Sequence, residues 1–236
     1  MKKYLVNYAN KTHHNSQKNN SQTGLSIGGF DEVFSYGVSD IDEEFKTKNK
    51  HILEQERGAG FWLWKPYIIK KALENINYND ILFYSDSGIS FIRDINDIID
   101  IVDTTDEKLL LFELEDIHPN LRWTKRDCFI LMDLDKEPYL SKNQLLASYI
   151  LMRKNDFVIS FIDEWLKYGQ DYRIITDSPN ELGEQNYGDM YDHRHDQSIL
   201  SLLGRKYNIK NIPDISQYGN DRRDIKQIIE HHRDRG

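Results

Sequence analysis

The chain has 236 residues, a formal net charge of -8, 39% hydrophobic and 12% aromatic residues, and a mean hydropathy of -0.70. So many Trp, Tyr and Phe exclude a disordered chain, the hydropathy excludes a bilayer-spanning one, and the acidic balance argues against attraction to nucleic acid or anionic lipid. The single Cys128 leaves no internal disulfide or multi-cysteine zinc site, and MKKYLVNY lacks the apolar run of a secretory signal, so a cytoplasmic protein without a membrane span is expected.

Tyr4–Tyr8 (YLVNY) reads as a strand, and the polar stretch Asn10–Thr23 has no apolar period and reads as a loop. Ser39–Phe45 offers an N-cap candidate and acidic first-turn residues, which predicts a helix over about Asp42–Glu56. Gly58-Ala59-Gly60 interrupts the pattern, and a second helix follows over about Phe61–Asn75 with Pro66 in its first turn. Asp80–Ser85 (DILFYS) is a continuous apolar run, as for a buried strand of a parallel sheet, and its C-terminal end should open on the functional crevice. The pattern then gives a helix around Ile95–Val102, a strand Lys108–Phe112, a helix Lys125–Met132, a strand Ala147–Arg153 and an amphipathic helix Asp156–Tyr168. A loop over Asp171–Tyr191, a helix His195–Lys206, a strand Ile209–Ile212 and a polar C-terminal helix within about 222–234 complete it. Alternating strands and helices without a repeat or linker predict one α/β domain over residues 1–236.

Three stretches carry candidate chemistry. In Gly58–Gly88, Trp62, Trp64 and Lys65-Pro66 are costly choices for a surface, and the DILFYS strand delivers Asp86 to a loop where a carboxylate can touch ligand. The same residues also suit a core and an ordinary Asp-Ser-Gly turn. In Asp192–Leu202 (DHRHDQSILSL), His193, Arg194, His195, Asp196 and Gln197 crowd a helix start, where free N–H groups favour anionic or hydroxyl-rich ligands. Asp196 alone would equally serve as a first-turn acid. In Lys142–Lys154, Gln144 precedes Ala147 and Ser148, small residues that let a ring approach the backbone or simply edge a buried strand. The pairs His13-His14 and His231-His232 read as solvent-facing, and neither a Walker A loop nor a nucleophile elbow is present.

Taken in order, Gly60-Phe61-Trp62-Leu63-Trp64-Lys65-Pro66-Tyr67, Asp80 to Gly88, Gln144 with Ala147, and His193-Arg194-His195-Asp196-Gln197-Ser198-Ile199-Leu200-Ser201 resemble small GT-A-fold glycosyltransferases of bacterial capsule and surface-polysaccharide loci and large DNA viruses. The resemblance spans about Gly58 to Leu203. It implies an α/β GT-A domain with a mostly parallel central sheet flanked by helices, nucleotide held within about 1–90, and donor sugar and acceptor handled within about 91–210. It also implies transfer of a sugar from a nucleoside-diphosphate donor, a UDP-sugar foremost, to a saccharide hydroxyl in polysaccharide or glycan synthesis, assisted by Mn2+ or Mg2+.

Such enzymes usually hold the metal with Asp-x-Asp, whereas this sequence has Asp86-Ser87-Gly88, so the resemblance implies Asp86 as a metal ligand with His193 as a second. It makes Asp196 and Gln197 the catalytic pair. Asp196 would serve as general base for the acceptor hydroxyl, or would orient the donor while Gln197 stabilises the front face. Tyr8, Trp64, Lys65, Ser85, Asp86, Ser87, Gln144, Arg194 and His195 are expected on the donor and nucleotide. Two other readings stand beside it: a phosphoester hydrolase with a metal on His193, His195, Asp196 and Asp86, and a carbohydrate-binding module that stacks sugars on Trp62 and Trp64.

Overall fold

The apolar runs near the N-terminus and at Asp80–Ser85 become β1 (Lys3–Ala9) and β3 (Ile81–Ser85), parallel neighbours in the main sheet. The computed structural model describes residues 1–114, 118–216 and 226–232. Between those strands lie α1 (His14–Thr23), β2 (Glu32–Gly37), α2 (Glu43–Lys48), α3 (Lys50–Leu53), α4 (Gly58–Phe61) and α5 (Trp64–Glu74). After them come β4 (Ile89–Phe91), α6 (Asn96–Asp103), β5 (Leu109–Glu113), α7 (Asn120–Trp123), α8 (Arg126–Leu131), β6 (Leu145–Arg153) and α9 (Asp156–Gly169). The chain continues through α10 (Tyr172–Ile175), α11 (His195–Lys206), β7 (Asn211–Pro213) and β8 (Ile229–His231).

The six-stranded sheet has the order β2-β1-β3-β6-β5-β7. Its strands are parallel except β6, which runs against both β3 and β5. That reversal positions the site. The first residues of β6 lie at the edge where β3 ends, with Tyr149 opposite Ser85, and the Asp86 N–H donates to the Ser148 carbonyl at 2.7 Å. Both faces of the sheet are buried, so its strands read as continuous apolar runs. Tyr4, Val6, Tyr8, Leu82, Tyr84, Ile150 and Met152 join one core with α5, α9 and α11. Leu5, Ile81, Phe83, Tyr149 and Leu151 join the other with α6, β4 and β8.

Several expectations are corrected. The segment expected as a loop over Asn10–Thr23 contains α1, because its buried face is made of Ser16, Gln17 and Asn20 rather than apolar residues. Asn20 fills that face by donating to Ser85 Oγ and the Ile89 carbonyl, both at 2.8 Å, and by accepting from Asn7 Nδ2 at 2.7 Å. The single helix expected over Asp42–Glu56 is broken at Asn49 into α2 and α3, and α10 lies inside the expected loop Asp171–Tyr191. The expected C-terminal helix falls partly outside the described residues, and its described part is β8, paired antiparallel with β4. This brings the tail back to Asp86-Ser87-Gly88: the His232 N–H donates to the Gly88 carbonyl at 2.8 Å. His232 is half-buried, with Nε2 3.3 Å from Asn19 Nδ2, so it does not stand free in solvent as expected. No helix among the described residues is long and apolar enough to cross a membrane.

Candidate active site

A cleft of about 490 Å3, part of it open to solvent, lies where β3 ends, β6 begins and α11 starts. Its lining joins Lys65, Asp86, Arg194, His195, Asp196 and Gln197, together with Ala147 and Ser148. The three stretches singled out in the sequence therefore meet at one place.

Lys65 stands in the first turn of α5 with its side chain 3% exposed, and its Nζ lies 2.7 Å from Asp196 Oδ2 and 3.4 Å from Asp86 Oδ1. It also donates to the Ala147 carbonyl at 3.0 Å. Among the described residues Lys65 is the charged partner of Asp196 Oδ2. One ammonium thus serves two carboxylates. Burial pushes the Asp196 carboxyl up to about 6 against the pull of Lys65, with the Asp86 charge adding to the rise. Burial opposes the Lys65 charge as well, but Asp196 and Asp86 outweigh it and hold the amine above its ordinary value. Burial, then Asp86, keeps the Tyr84 phenol far above its usual range, and its hydroxyl donates to Asp86 Oδ1.

Gln197 is fixed as an amide. Its Nε2 donates to Gln144 Oε1 at 2.8 Å and its Oε1 accepts from the Ala147 N–H at 3.4 Å. Gln144 is fully buried, held by Thr124 and Ser198, and reaches the cleft only through Gln197. His195 has φ 51, a left-handed conformation unusual for a non-glycine residue, and leads directly into Asp196. Its Nδ1–H donates to the Ile175 carbonyl at 2.8 Å, and burial lowers its pKa, so Nε2 carries the lone pair. Nε2 lies 3.7 Å from Asp177 Oδ1, too far for a hydrogen bond.

Not every expected residue reaches the cleft. Trp64 is buried with its ring stacked on Tyr8 at 4.0 Å, so both belong to the core, and its Nε1 donates to the Gly58 carbonyl. Ser85 and Ser87 are buried beneath the edge, Ser85 holding Asn20. His193 is the clearest correction to the expected metal pair: Nε2 donates to the Ile174 carbonyl at 2.8 Å and Nδ1 accepts from the Lys125 N–H at 3.3 Å. Burial, then the neighbouring His195, keeps it neutral, and neither nitrogen is left for an ion.

One cleft residue escaped the sequence reading, Arg57, and Trp62, singled out there in the motif and as a stacking platform of the binding-module reading, was not among the expected donor contacts. Arg57 precedes a run in which Gly58, Ala59, Gly60, Phe61 and Trp62 all have positive φ, between 50 and 96. The run is a left-handed turn closed by Phe61 N–H to Arg57 O at 2.8 Å and Trp62 N–H to Gly58 O at 3.2 Å. It places the Trp62 ring on His195 at 5.5 Å, and Arg57 braces it by donating to Asp177 and Asp192 at 3.0 and 2.9 Å. For the turn itself the sequence signal was Gly58-Ala59-Gly60, which marks a break without saying what it presents.

The donor set decides what ion suits the site. Among the described residues no three His, Cys, Asp or Glu side chains cluster as a cation site. Asp86, whose side chain is 36% exposed, spends Oδ1 on Tyr84, and no described residue donates to Oδ2. The residues thus suit a divalent cation shared with a ligand's own oxygens and do not suit one held by protein alone.

No family model matches the chain, and no curated protein does. Among solved structures the chain is similar to the apo form of mouse xyloside xylosyltransferase 1, with a TM-score of 0.53 and 9% identity over 98% of this chain and 97% of that one. It is also similar to a glycosyltransferase involved in the glycosylation of the major capsid of PBCV-1, with a TM-score of 0.49 and 9% identity over 100% of this chain and 96% of that one. The first likeness shows the fold, and over nearly its whole length the chain has the GT-A architecture of an α/β sheet flanked by helices.

Proposed function

We propose that the chain is a glycosyltransferase that moves a sugar from a nucleoside-diphosphate donor, a UDP-sugar foremost, to a saccharide hydroxyl in glycan synthesis. The observation that carries this reading is Lys65 held between Asp196 and Asp86 in the lining of a polar cleft at the end of β3. Breaking the bond from the anomeric carbon to the diphosphate oxygen leaves negative charge on the diphosphate and positive charge on the ring. Lys65, Arg57 and Arg194 offer fixed cations for the first, and the buried Asp196 carboxylate offers a fixed anion for the second. With its pKa at about 6, Asp196 is ionised at neutral pH, and in a poorly solvated site its charge acts more strongly than in water. Gln197, locked by Gln144 and Ala147, adds an oriented dipole beside it. Asp86 is the residue that would hold a divalent cation, Mn2+ or Mg2+, which bound with the diphosphate would supply further positive charge to the leaving group.

The lone buried Cys128 supports a reducing, cytoplasmic setting. The hydrolase reading loses its ligand cluster with His193 turned to the backbone. The binding-module reading loses its paired platform with Trp64 packed under Tyr8. Calorimetric titration of UDP and GDP with and without Mn2+, followed by transfer of a labelled sugar from the donor that binds, tests the proposal. Binding of either nucleoside diphosphate with sugar transfer is expected, and a chain that binds neither overturns it.

A further inference from the structure

A second group of rings adjoins the cleft through Arg194, beside α7 and the start of α11. Trp123, the last residue of α7, is half-buried, and its ring meets Arg122, Arg194, His118 and Tyr191. The Arg194 guanidinium carbon lies 4.4 Å from its ring centre, the His118 ring lies nearly parallel at 5.8 Å, and Tyr191 packs edge-to-face at 5.2 Å. Tyr191 is 71% exposed, so a large ring is held out in water.

Hydrogen bonds fix the main chain that carries these rings. The Tyr191 N–H donates to the Arg122 carbonyl at 2.7 Å, and the Trp123 carbonyl accepts from the Arg194 N–H at 3.0 Å and from Ser198 Oγ at 2.8 Å. The ring group is thereby tied to the first turn of α11, which also carries Asp196 and Gln197. Arg194 belongs to both places, lying on Trp123 and lining the cleft.

An exposed aromatic face close to hydrogen-bond donors matches a pyranose, whose C–H face is apolar and whose rim is hydroxyl. We propose that Tyr191, packed on the Trp123 ring that also carries Arg194, is the platform for the acceptor saccharide. This rests on the glycosyltransferase reading, because it assigns the sugar on Tyr191 to the acceptor. Tyr191 is linked to the cleft through Trp123 and Arg194 at the start of α11, whereas Asp86 stands at the end of β3, so a sugar on Tyr191 and a diphosphate near Asp86 approach Asp196 from different elements.

The test titrates lactose, maltose and cellobiose into the full chain, with and without UDP, and reads tryptophan fluorescence, to which Trp123 contributes beneath Tyr191. Wild type is expected to give a saturable response to at least one disaccharide. That response should weaken about 5-fold or more in Tyr191→Ala and stay within about 2-fold in Tyr191→Phe, which keeps the ring. Undiminished binding by Tyr191→Ala, or no saturable response from wild type to any of the three, overturns the platform. UDP and GDP affinity measured on the same preparations is read separately: the absence of both removes the transferase reading, and the presence of either with unchanged saccharide binding in Tyr191→Ala removes only this inference.

Discussion

Lys65 Nζ and Asp196 Oδ2 lie 2.7 Å apart with both side chains almost wholly buried, 3% and 6% exposed. A helix start and a motif far along the chain are thus joined by one ion pair. A buried pair contributes little net stability, because desolvation offsets attraction, yet loss of either partner leaves an uncompensated charge. Here the pair is also unbalanced, since Asp86 draws on the same ammonium. The surplus negative charge opposes ionisation of Asp196, and it is aimed at the cleft rather than neutralised in the core.

Asp196→Asn should lower sugar transfer by roughly 10²-fold or more, the scale of losing a positioned carboxylate, with nucleotide affinity near normal. The side-chain shape is kept and Lys65 retains Asp86 and the Ala147 carbonyl, so the fold should survive. Turnover and melting temperature measured on one preparation check this. Unchanged transfer shows that the carboxylate has no part in the reaction.

The pH dependence follows from the same residue. Burial raises the Asp196 carboxyl from 3.8 to about 6, so turnover should rise with pH through about 6 as the carboxylate forms, and Asp196→Asn should lose that limb. Stability runs the other way. A carboxyl whose folded pKa is raised binds its proton more tightly in the native state, so its contribution is fully present below about pH 4 and is lost as pH rises through about 6. Urea unfolding of wild type and Asp196→Asn between those limits reads the difference, and parallel curves would contradict it.

The legible part of the fold was the part written in apolar residues. β1, β3, β5, α5, α9 and α11 fall where period and length put them, because burial on both sheet faces leaves runs that few other structures tolerate. α1 was illegible because Asn20 fills its buried face by hydrogen bonding to Asn7, Ser85 and Ile89. The antiparallel sense of β6 has no local signal either, since strand direction is set by pairing. In the site, Lys65, Asp86 and the Arg194–Gln197 string could be nominated because charged residues at strand ends and helix starts face crevices. Choosing Trp64 over Trp62 failed for a backbone reason: a left-handed turn at Gly58–Trp62 turns Trp62 to the cleft, and Trp64 returns to the core on Tyr8. His193 failed because its ring bonds to carbonyl and amide groups of distant segments.

Lys65→Met should destabilise the chain by roughly 3–5 kcal/mol, because it leaves Asp196 buried without its counter-ion. Adding Asp196→Asn to Lys65→Met should recover part of that loss, since the stranded charge is then gone. Urea midpoints for the two singles and the double form the cycle. Additive effects would mean that the 2.7 Å contact contributes no coupling.

Asp86→Asn removes the carboxylate that would face a diphosphate-bound cation while keeping its volume. UDP binding with Mn2+ should fall at least about 10-fold, toward the value measured with EDTA in wild type, and binding in EDTA should change little. Tyr84 can still donate to the side-chain oxygen, so the melting temperature should hold. Equal Mn2+ enhancement of UDP binding in wild type and Asp86→Asn would take Asp86 out of the cation site.

The left-handed turn gives the last prediction. Each non-glycine residue in that conformation costs roughly 1–2 kcal/mol, and Ala59, Phe61 and Trp62 all adopt it. The surroundings hold the turn: Trp64 Nε1 donates to the Gly58 carbonyl at 3.0 Å, and Arg57 binds Asp177 and Asp192. Gly58 is the weak point, since an added Cβ would meet the Trp62 ring at 2.3 Å and φ is +60. Gly58→Ala should therefore move Trp62 off His195 and release Arg57, lowering donor affinity about 10-fold together with the melting temperature. Gly188→Ala is the control, because nothing lies within 4 Å of its Cβ position, and it should change neither. Trp62→Ala separates strain from contact: if the turn matters only for stability, Gly58→Ala will lower the melting temperature while Trp62→Ala leaves donor affinity intact. If the turn exists to present the ring, both variants will lose donor binding, and Trp62→Ala will do so with a smaller change in melting temperature than Gly58→Ala.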